Sequence, residues 1–491
     1  MSTEITVNQV IKSVGKNGLI YGFSTALQPL AGFILLPLYS QYFERSEYGI
    51  YTLIVLISTI FSTVFHLGIN SAFARSYYDY EHEEDRRRVF NTSFLLLIVG
   101  LILQVGICLL VSRYLSIAIL DDEKYANLLV VSVTATAIVF LNTGLFNYLR
   151  VREKSLTYTV FSIISLVLSV SLTWYFLEYV NQDISSPIYS SIIVQSFILI
   201  ILISFHYKLI NLFDVNKNEI RILLQFGLPS IFAGIAVMIG EWADKFLINE
   251  FLTKSELGIF SMAFRIALLY NVIIAVPFAL VWNPLMMKLR THREIVSIFN
   301  RVTFLYFGMS SLFIFGVYVF LEPVLTLLSF DNKFADSFSY IPLLMSAVAL
   351  GSLQNIYSAG IIYARKPILI VYVYFFAGAI NFICSYFAII KFGLWGATFT
   401  FIVFKLISSL LIYFVSSKYF SFKIFSTEYI KLISLYAIII SIYLEYILGE
   451  LPFILQVLYV FTSCSGLLYF LFRKEFVGII SRLRNKSYPN T

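Results

Sequence analysis

Glu241, Asp244 and Lys245 fall within one short stretch of an otherwise apolar run, Gly240-Glu241-Trp242-Ala243-Asp244-Lys245-Phe246. Spacings of three and four put all three near one face of a helix. Two chemistries fit that arrangement. Glu241 and Lys245 suit an ion pair that neutralises itself. The same groups also suit an anion or proton site at the interface of two halves. Three more cations stand in or beside apolar runs: Arg75 at the end of Gly68-Ile69-Asn70-Ser71-Ala72-Phe73-Ala74-Arg75, then Arg265 and Lys405. Each suits charge-assisted donation to a phosphate. Each also has a plainer reading: anchoring at a membrane edge for Arg75, an acidic partner on a neighbouring helix for Arg265, and snorkelling or pairing for Lys405.

The elements that must position these groups are membrane helices. The chain has 491 residues, is 59% hydrophobic and has a mean hydropathy of +0.84. Apolar stretches cover approximately 17–40, 48–72, 92–112, 126–148, 157–178, 187–207, 225–249, 258–286, 301–321, 337–362, 368–390, 394–416, 428–448 and 452–472. A spanning helix needs about 20 mostly apolar residues for about 30 Å of hydrocarbon. The fold expected is therefore all-α and integral to the membrane, with about 14 transmembrane helices. Counting from an outer end near residue 250, Glu241 lies roughly 14 Å deep and Lys245 roughly 8 Å. Ionisable groups at such depth are costly and mark function by default.

Charge orients the chain. Of 35 Lys and Arg, three lie inside spans (Lys245, Arg265, Lys405) and six lie in one set of alternate gaps (Arg45, Arg113, Lys124, Lys254, Lys333, Lys391). The remaining 26 lie in the other set and the two ends. This positive-inside pattern puts both termini in the cytoplasm of a multi-pass protein of the cell (inner or plasma) membrane. The net charge of +7 is then explained by anionic headgroups, with no nucleic acid required. Residues 1–16 are polar, so the first span is expected to direct insertion. Cys108, Cys384 and Cys464 all lie inside spans, which argues against a disulfide framework.

The halves repeat. Phe43-Glu44-Arg45-Ser46-Glu47-Tyr48-Gly49-Ile50-Tyr51 reads against Leu252-Thr253-Lys254-Ser255-Glu256-Leu257-Gly258-Ile259-Phe260, at an offset of 209. Arg150-Val151-Arg152-Glu153-Lys154 echoes Tyr363-Ala364-Arg365-Lys366 near an offset of 212. Six helices separate the equivalents, so the repeats are parallel, an arrangement found in transporters with a substrate path between the halves. The division expected is an N-lobe at 1–210, a linker and amphipathic lead-in at 211–225, a C-lobe at 226–420, and spans thirteen and fourteen with a basic tail at 421–491. Pro29, Pro37, Pro229, Pro277 and Pro284 are candidate hinges, because proline removes a backbone bond and lets a helix bend. The 48 Phe and 34 Tyr suit lipid contact and membrane interfaces first; those lining a cavity suit stacking on sugars.

No phosphate-cradling G-x-x-x-x-G-K-[ST] loop is present, which excludes a P-loop ATP engine. His66, His82, His206 and His292 lack metal-ligand spacing, no Ser/His/Asp arrangement is recoverable, and no outer loop is long enough to hold an acceptor sugar. The expectation is a transporter and not an enzyme, with no cofactor and no metal.

In these features the chain resembles polysaccharide flippases of the multidrug/oligosaccharidyl-lipid/polysaccharide (MOP) exporter superfamily, in the O-antigen (Wzx-type) branch. The likeness runs over nearly the whole chain. It rests on the Gly18–Pro37 helix, Tyr42-Phe43…Glu47-Tyr48-Gly49 and Leu67-Gly68-Ile69…Arg75. In the second half it rests on Phe226-Gly227-Leu228-Pro229, Asp244-Lys245-Phe246 and Leu257-Gly258-Ile259-Phe260…Ala263-Phe264-Arg265. The family commonly has Asp-Arg where this chain has Asp244-Lys245, which keeps the charge and changes the donor geometry. The resemblance implies two pseudo-symmetric six-helix lobes around a central cavity and two further C-terminal helices. It implies alternating access that moves an undecaprenyl-diphosphate-linked oligosaccharide to the outer leaflet, driven by an ion gradient or membrane potential. Arg75, Lys245, Arg265 and Lys405 would then serve the diphosphate or sugar path, and Glu241 and Asp244 would be the candidate coupling or gating carboxylates. Partners would be the lipid-linked oligosaccharide, membrane lipids and polysaccharide polymerase or assembly proteins.

A multidrug exporter and a lipid II flippase of the same superfamily are the nearest rivals. Spans one to six contain no Asp or Glu in their membrane interiors, while cations are available, which favours an anionic lipid-linked substrate. A membrane polymerase or ligase would need the missing outer loop, and a passive scaffold would not need duplicated halves with buried charges.

Overall fold

The computed structural model describes residues 30–291 and 295–420, and among these residues the regular elements are helices and none is a strand. They are α1 (Leu36–Tyr42), α2 (Arg45–Phe65), α3 (Ile69–Ser76), α4 (Glu83–Leu120), α5 (Ala126–Val151), α6 (Ser155–Tyr179), α7 (Ser185–His206), α8 (Lys217–Phe251), α9 (Lys254–Ala267), α10 (Val276–Lys288), α11 (Ile295–Leu327), α12 (Ile341–Ser352), α13 (Gln354–Tyr357), α14 (Ala359–Tyr363) and α15 (Ile368–Ser417). Nine described stretches are long and apolar enough to cross a membrane, or ten if the bent pair Asn332–Ser339 and Ile341–Tyr363 counts as one span.

Helix α15 holds two of the expected crossings. Its 50 residues turn at Gly393, which has φ 57° and ψ −136°, a conformation that only glycine adopts cheaply. The hydroxyls of Ser385 and Thr400 are 2.9 Å apart. Fifteen residues of straight helix would separate them by about 22 Å, so the two arms run antiparallel. Expected spans two to twelve are thus all present as helical crossings. Most of span one, spans thirteen and fourteen, Pro29 and the basic tail lie outside the described residues.

Apolar side chains line the outside. Leu110 is 85% exposed and Phe387 67%, with Ile102, Leu109, Phe376 and Ile383 similarly bare. A soluble protein rarely presents such a surface, whereas hydrocarbon covers it without cost. Inside, polar side chains join helices where no water competes. Gln104 donates to Ser62 (2.8 Å) and to the Val133 carbonyl (2.9 Å), and Asn142 donates to Gln195 (3.0 Å). Tyr306 donates to Ser352 (2.7 Å) in the second half.

The repeated motif builds the outer seam between the halves. It begins each second span with a capping box. The Glu44 backbone N–H donates to the Glu47 side chain (2.9 Å), and the Thr253 N–H donates to Glu256 (3.0 Å). The equivalent glycines then bring α2 and α9 into backbone contact. A Cβ on Gly258 would lie 2.8 Å from the carbonyl carbon of Arg45, and one on Gly49 would lie 3.2 Å from the nitrogen of Gly258. The equivalent cations each reach across to the other half. Arg45 pairs with Asp336 (2.7 Å), and Lys254 pairs with Asp121 (3.0 Å) and donates to the Ile119 carbonyl (2.7 Å). That carbonyl belongs to the last turn of α4, where a cation is favoured.

An inner seam forms at the opposite end of the bundle. The second expected span, read as continuous over 48–72, is broken: α2 ends at Phe65, Leu67 and Gly68 take left-handed backbone, and α3 restarts at Ile69. The break lets Gly68 meet Gly227 of α8. A Cβ on Gly68 would lie 2.7 Å from the Gly227 carbonyl carbon, and one on Gly227 would lie 3.3 Å from that of Leu67. The amphipathic lead-in to span seven starts at Lys217 and runs unbroken into α8 through Pro229. Tyr80 of the first half donates to Glu219 at its start. That carboxylate partner pushes the half-buried phenol up to about 12, so the phenol stays a neutral donor.

Candidate functional site

Residues Gly240 to Lys245 stand in the C-terminal half of α8, packed against both arms of α15. Glu241 does not pair with Lys245. Its Oε1 meets Lys405 Nζ at 2.5 Å, bridging α8 to the second arm of α15. Gly351 on α12 leaves room for the Lys405 stem, since a Cβ there would lie 2.8 Å from it. The Lys245 ammonium sits 3.7 Å from the centroid of the Phe264 ring and 3.5 Å from the Glu241 carbonyl. Asp244 turns the other way, into the bend of α15. It accepts from Ser385 (2.5 Å) and Asn381 (3.5 Å), and Asn381 also donates to the Gly240 carbonyl (3.1 Å). Asp244 is 1% exposed, and its second oxygen has no partner among the described residues.

The three expected site residues of α8 therefore diverge. The self-neutralising pair is replaced by a longer-range one, because Lys405 approaches Glu241 from a facing helix while Lys245 points at aromatic rings. All of these contacts lie within the second half rather than between the halves. They surround a cavity of about 280 Å³ lined by Glu241, Lys405, Asn271, Asn355, Tyr374 and the Phe264 and Phe401 rings, with further apolar side chains.

The π-helical turn Asn271–Ala275 shapes that cavity. Such turns are rare and gather at functional sites. Pro277 follows at the start of α10, where a missing N–H is tolerated, and Pro284 lies inside α10. Pro37 occupies the first turn of α1, beside a break at Leu35.

Arg75 and Arg265 stand apart from this group, and each lies where the halves meet. The Arg265 side chain of α9 is exposed and faces Gly32 of the first span; a Cβ on Gly32 would lie 2.8 Å from its guanidinium carbon. Arg75 of α3 is exposed and stacks over the Phe226 ring of α8, 4.0 Å from its centroid. Neither has an acidic partner among the described residues. The structure thus joins Glu241 to Lys405, holds Asp244 and Lys245 nearby, and leaves the two arginines separate. Asn271, Asn355, Tyr374, Asn381 and Ser385 were missed by sequence reasoning. Only Asn271 and Asn381 carried a signal, a carboxamide isolated in an apolar run, as in Tyr270-Asn271-Val272 and Ile380-Asn381-Phe382.

Comparison with known proteins places this geometry. A family described as polysaccharide biosynthesis protein matches residues 14–290. No curated protein matches in sequence. Among solved structures, a lipid II flippase, MurJ, in an inward closed conformation superposes with a TM-score of 0.73 at 16% identity, covering 93% of this chain and 100% of that one. A multidrug resistance MATE family transporter of the MOP superfamily, in an inward-facing conformation, gives 0.66 at 14%, covering 80% and 94%. A MOP superfamily transporter from Pyrococcus furiosus, described as having a binding pocket of reverse polarity, gives 0.62 at 14%, covering 83% and 95%. At these identities the likeness is one of fold.

Proposed function

The chain belongs to the polysaccharide biosynthesis protein family, and from that membership we propose that it carries a polyprenyl-diphosphate-linked oligosaccharide from the cytoplasmic to the outer leaflet by alternating access. The observation that carries the reading is Arg265, exposed between the halves and without an acidic partner among the described residues. An unpaired guanidinium at membrane depth is costly unless it faces water or a ligand anion. Its planar fork matches phosphate oxygens two at a time. Arg75 offers the same chemistry at the inner seam, where the diphosphate would arrive.

The two halves act as rocking lobes. Parting the outer seam releases Gly49 and Gly258 and the cross-pairs of Arg45 and Lys254; parting the inner seam releases Gly68 and Gly227 and the Arg75–Phe226 stack. Substrate moves as one seam opens while the other stays shut. Glu241 and Asp244 couple this motion to an ion gradient, and Pro37, Pro229, Pro277 and Pro284 absorb the bending. Both termini face the cytoplasm, and polysaccharide polymerase or assembly proteins receive the product.

The test is deletion of the gene followed by complementation. Deletion should accumulate lipid-linked oligosaccharide in the cytoplasmic leaflet, and Arg265→Gln should fail to relieve it at normal membrane abundance. Full rescue by Arg265→Gln would refute the assignment. A lipid II substrate is the second reading, favoured by the 0.73 superposition on a lipid II flippase; accumulation of peptidoglycan precursor instead of oligosaccharide would establish it. Altered drug tolerance with normal glycans would point to a multidrug exporter.

A further inference from the structure

The cavity inside the second half differs in chemistry from the seam that carries Arg265. Its one anion and one cation, Glu241 and Lys405, neutralise each other at 2.5 Å. A diphosphate gains nothing from such a pocket. Around the pair stand groups whose hydrogen-bonding capacity is unspent. The Asn271 carboxamide has no partner among the described residues, and Asn355 uses its amide on the Ser352 carbonyl (3.0 Å) and leaves its own oxygen free. Tyr374 donates to Gln354 (2.5 Å), which leaves the phenolic oxygen able to accept. Lys405 keeps two N–H donors and Glu241 its second oxygen. Half-buried donors and acceptors in such number are costly unless a ligand or water meets them.

From this composition, and resting on the flippase reading, we propose that the cavity is a sugar subsite that recognises a ring of the lipid-linked glycan. Carbohydrate hydroxyls donate and accept at once, as this net-neutral mixture of amides, carboxylate, ammonium and phenol requires. The Phe264 and Phe401 rings supply an apolar wall for the C–H face of a pyranose. A volume of about 280 Å³ lies at the small end of ligand pockets, which start at about 300 Å³. It therefore takes a single sugar ring and leaves the rest of the glycan between the halves. The π-helical turn is what aims Asn271 into the cavity. Recognition is thereby divided: the guanidinium of Arg265 reads the diphosphate, and the second-half cavity reads the sugar.

The division is tested with purified full-length protein and two probes. One is the oligosaccharide released from the lipid that accumulates in deletion cells; the other is undecaprenyl diphosphate without sugar. Asn271→Leu and Asn355→Leu should each weaken oligosaccharide binding about tenfold, the effect expected for a site left with unmet polar groups, and leave undecaprenyl diphosphate binding unmoved. Arg265→Gln should do the reverse. Each variant retains one ligand, so loss of folding is excluded by the same data. Oligosaccharide affinity unchanged in both asparagine variants, or a parallel loss of both ligands, overturns the subsite and leaves the flippase reading standing. Wild-type protein that binds neither probe and moves no lipid-linked oligosaccharide in liposomes overturns both.

Discussion

Replacing Gly258 by alanine tests the outer seam most directly. The added Cβ would lie 2.8 Å from the Arg45 carbonyl carbon and 3.3 Å from its Cα, and backbone on a capped helix start cannot move aside as a side chain can. Relief requires α2 and α9 to separate. Overpacking of this kind costs about 1–3 kcal/mol, and because the strain exists only while the seam is shut, it acts as a population shift. Each 1.4 kcal/mol is a factor of about ten, so the outward-parted state should gain roughly five- to 150-fold. Spin labels at Glu123, in the turn after α4, and at Lys391, beside the bend of α15, should then report a longer distance component that the wild type lacks. Gly49→Ala should do the same, because Gly49 occupies the equivalent place at the same seam. The double variant should add little, since one methyl already parts the surfaces that the second would strain; this non-additivity separates a shared seam from two local defects. A folded Gly258→Ala protein with the wild-type distance distribution would refute the reasoning.

Other outcomes follow from the same geometry. Lys405→Met strands Glu241, which is 30% exposed at its side chain, and should lower stability by about 1–3 kcal/mol; adding Glu241→Gln should recover most of the loss, as expected when a largely buried pair is removed whole. Thermal melts in one detergent measure both, and a double variant no better than Lys405→Met would count against the pairing. Glu241→Gln alone should impair transport at unchanged membrane abundance. Gly393→Ala should cost about 1–3 kcal/mol through backbone strain alone, because no atom lies within 4 Å of its missing Cβ; an unchanged melting temperature would mean that the turn is not held as described. Arg45→Ala and Lys254→Ala should each part the outer seam by less than Gly258→Ala, since the partner acids are 63% and 75% exposed and exposed pairs contribute only about 0–1 kcal/mol. The same spin labels should show the difference between each of these two variants and the wild type narrowing at high salt, as the wild-type pairs are screened.

The amino-acid order alone was enough for the membrane class and the crossings two to twelve, because each is set by local composition. Hydrocarbon tolerates only closed barrels or apolar helices long enough to cross it. The repeat at an offset of 209 was legible as a pattern, but its meaning was not. That Gly49 touches the start of α9, while Gly258 touches the start of α2, depends on two distant segments meeting face to face. The break at Gly68 was hidden for the same reason: a glycine in an apolar run becomes a bend only where Gly227 presses against it.

The charged group shows the limit most plainly. Spacing placed Glu241 and Lys245 on one helix face and left an internal pair open, but a side chain chooses its partner from everything within reach. Lys405 follows Glu241 by 164 positions and lies 2.5 Å from it once α15 folds back at Gly393. Burial then divided the cations, leaving Lys245 against aromatic rings and Arg265 bare between the halves. Residue type settled which groups could do chemistry; only the packing of helices far apart in the chain decided which were spent on one another and which stayed free for a ligand.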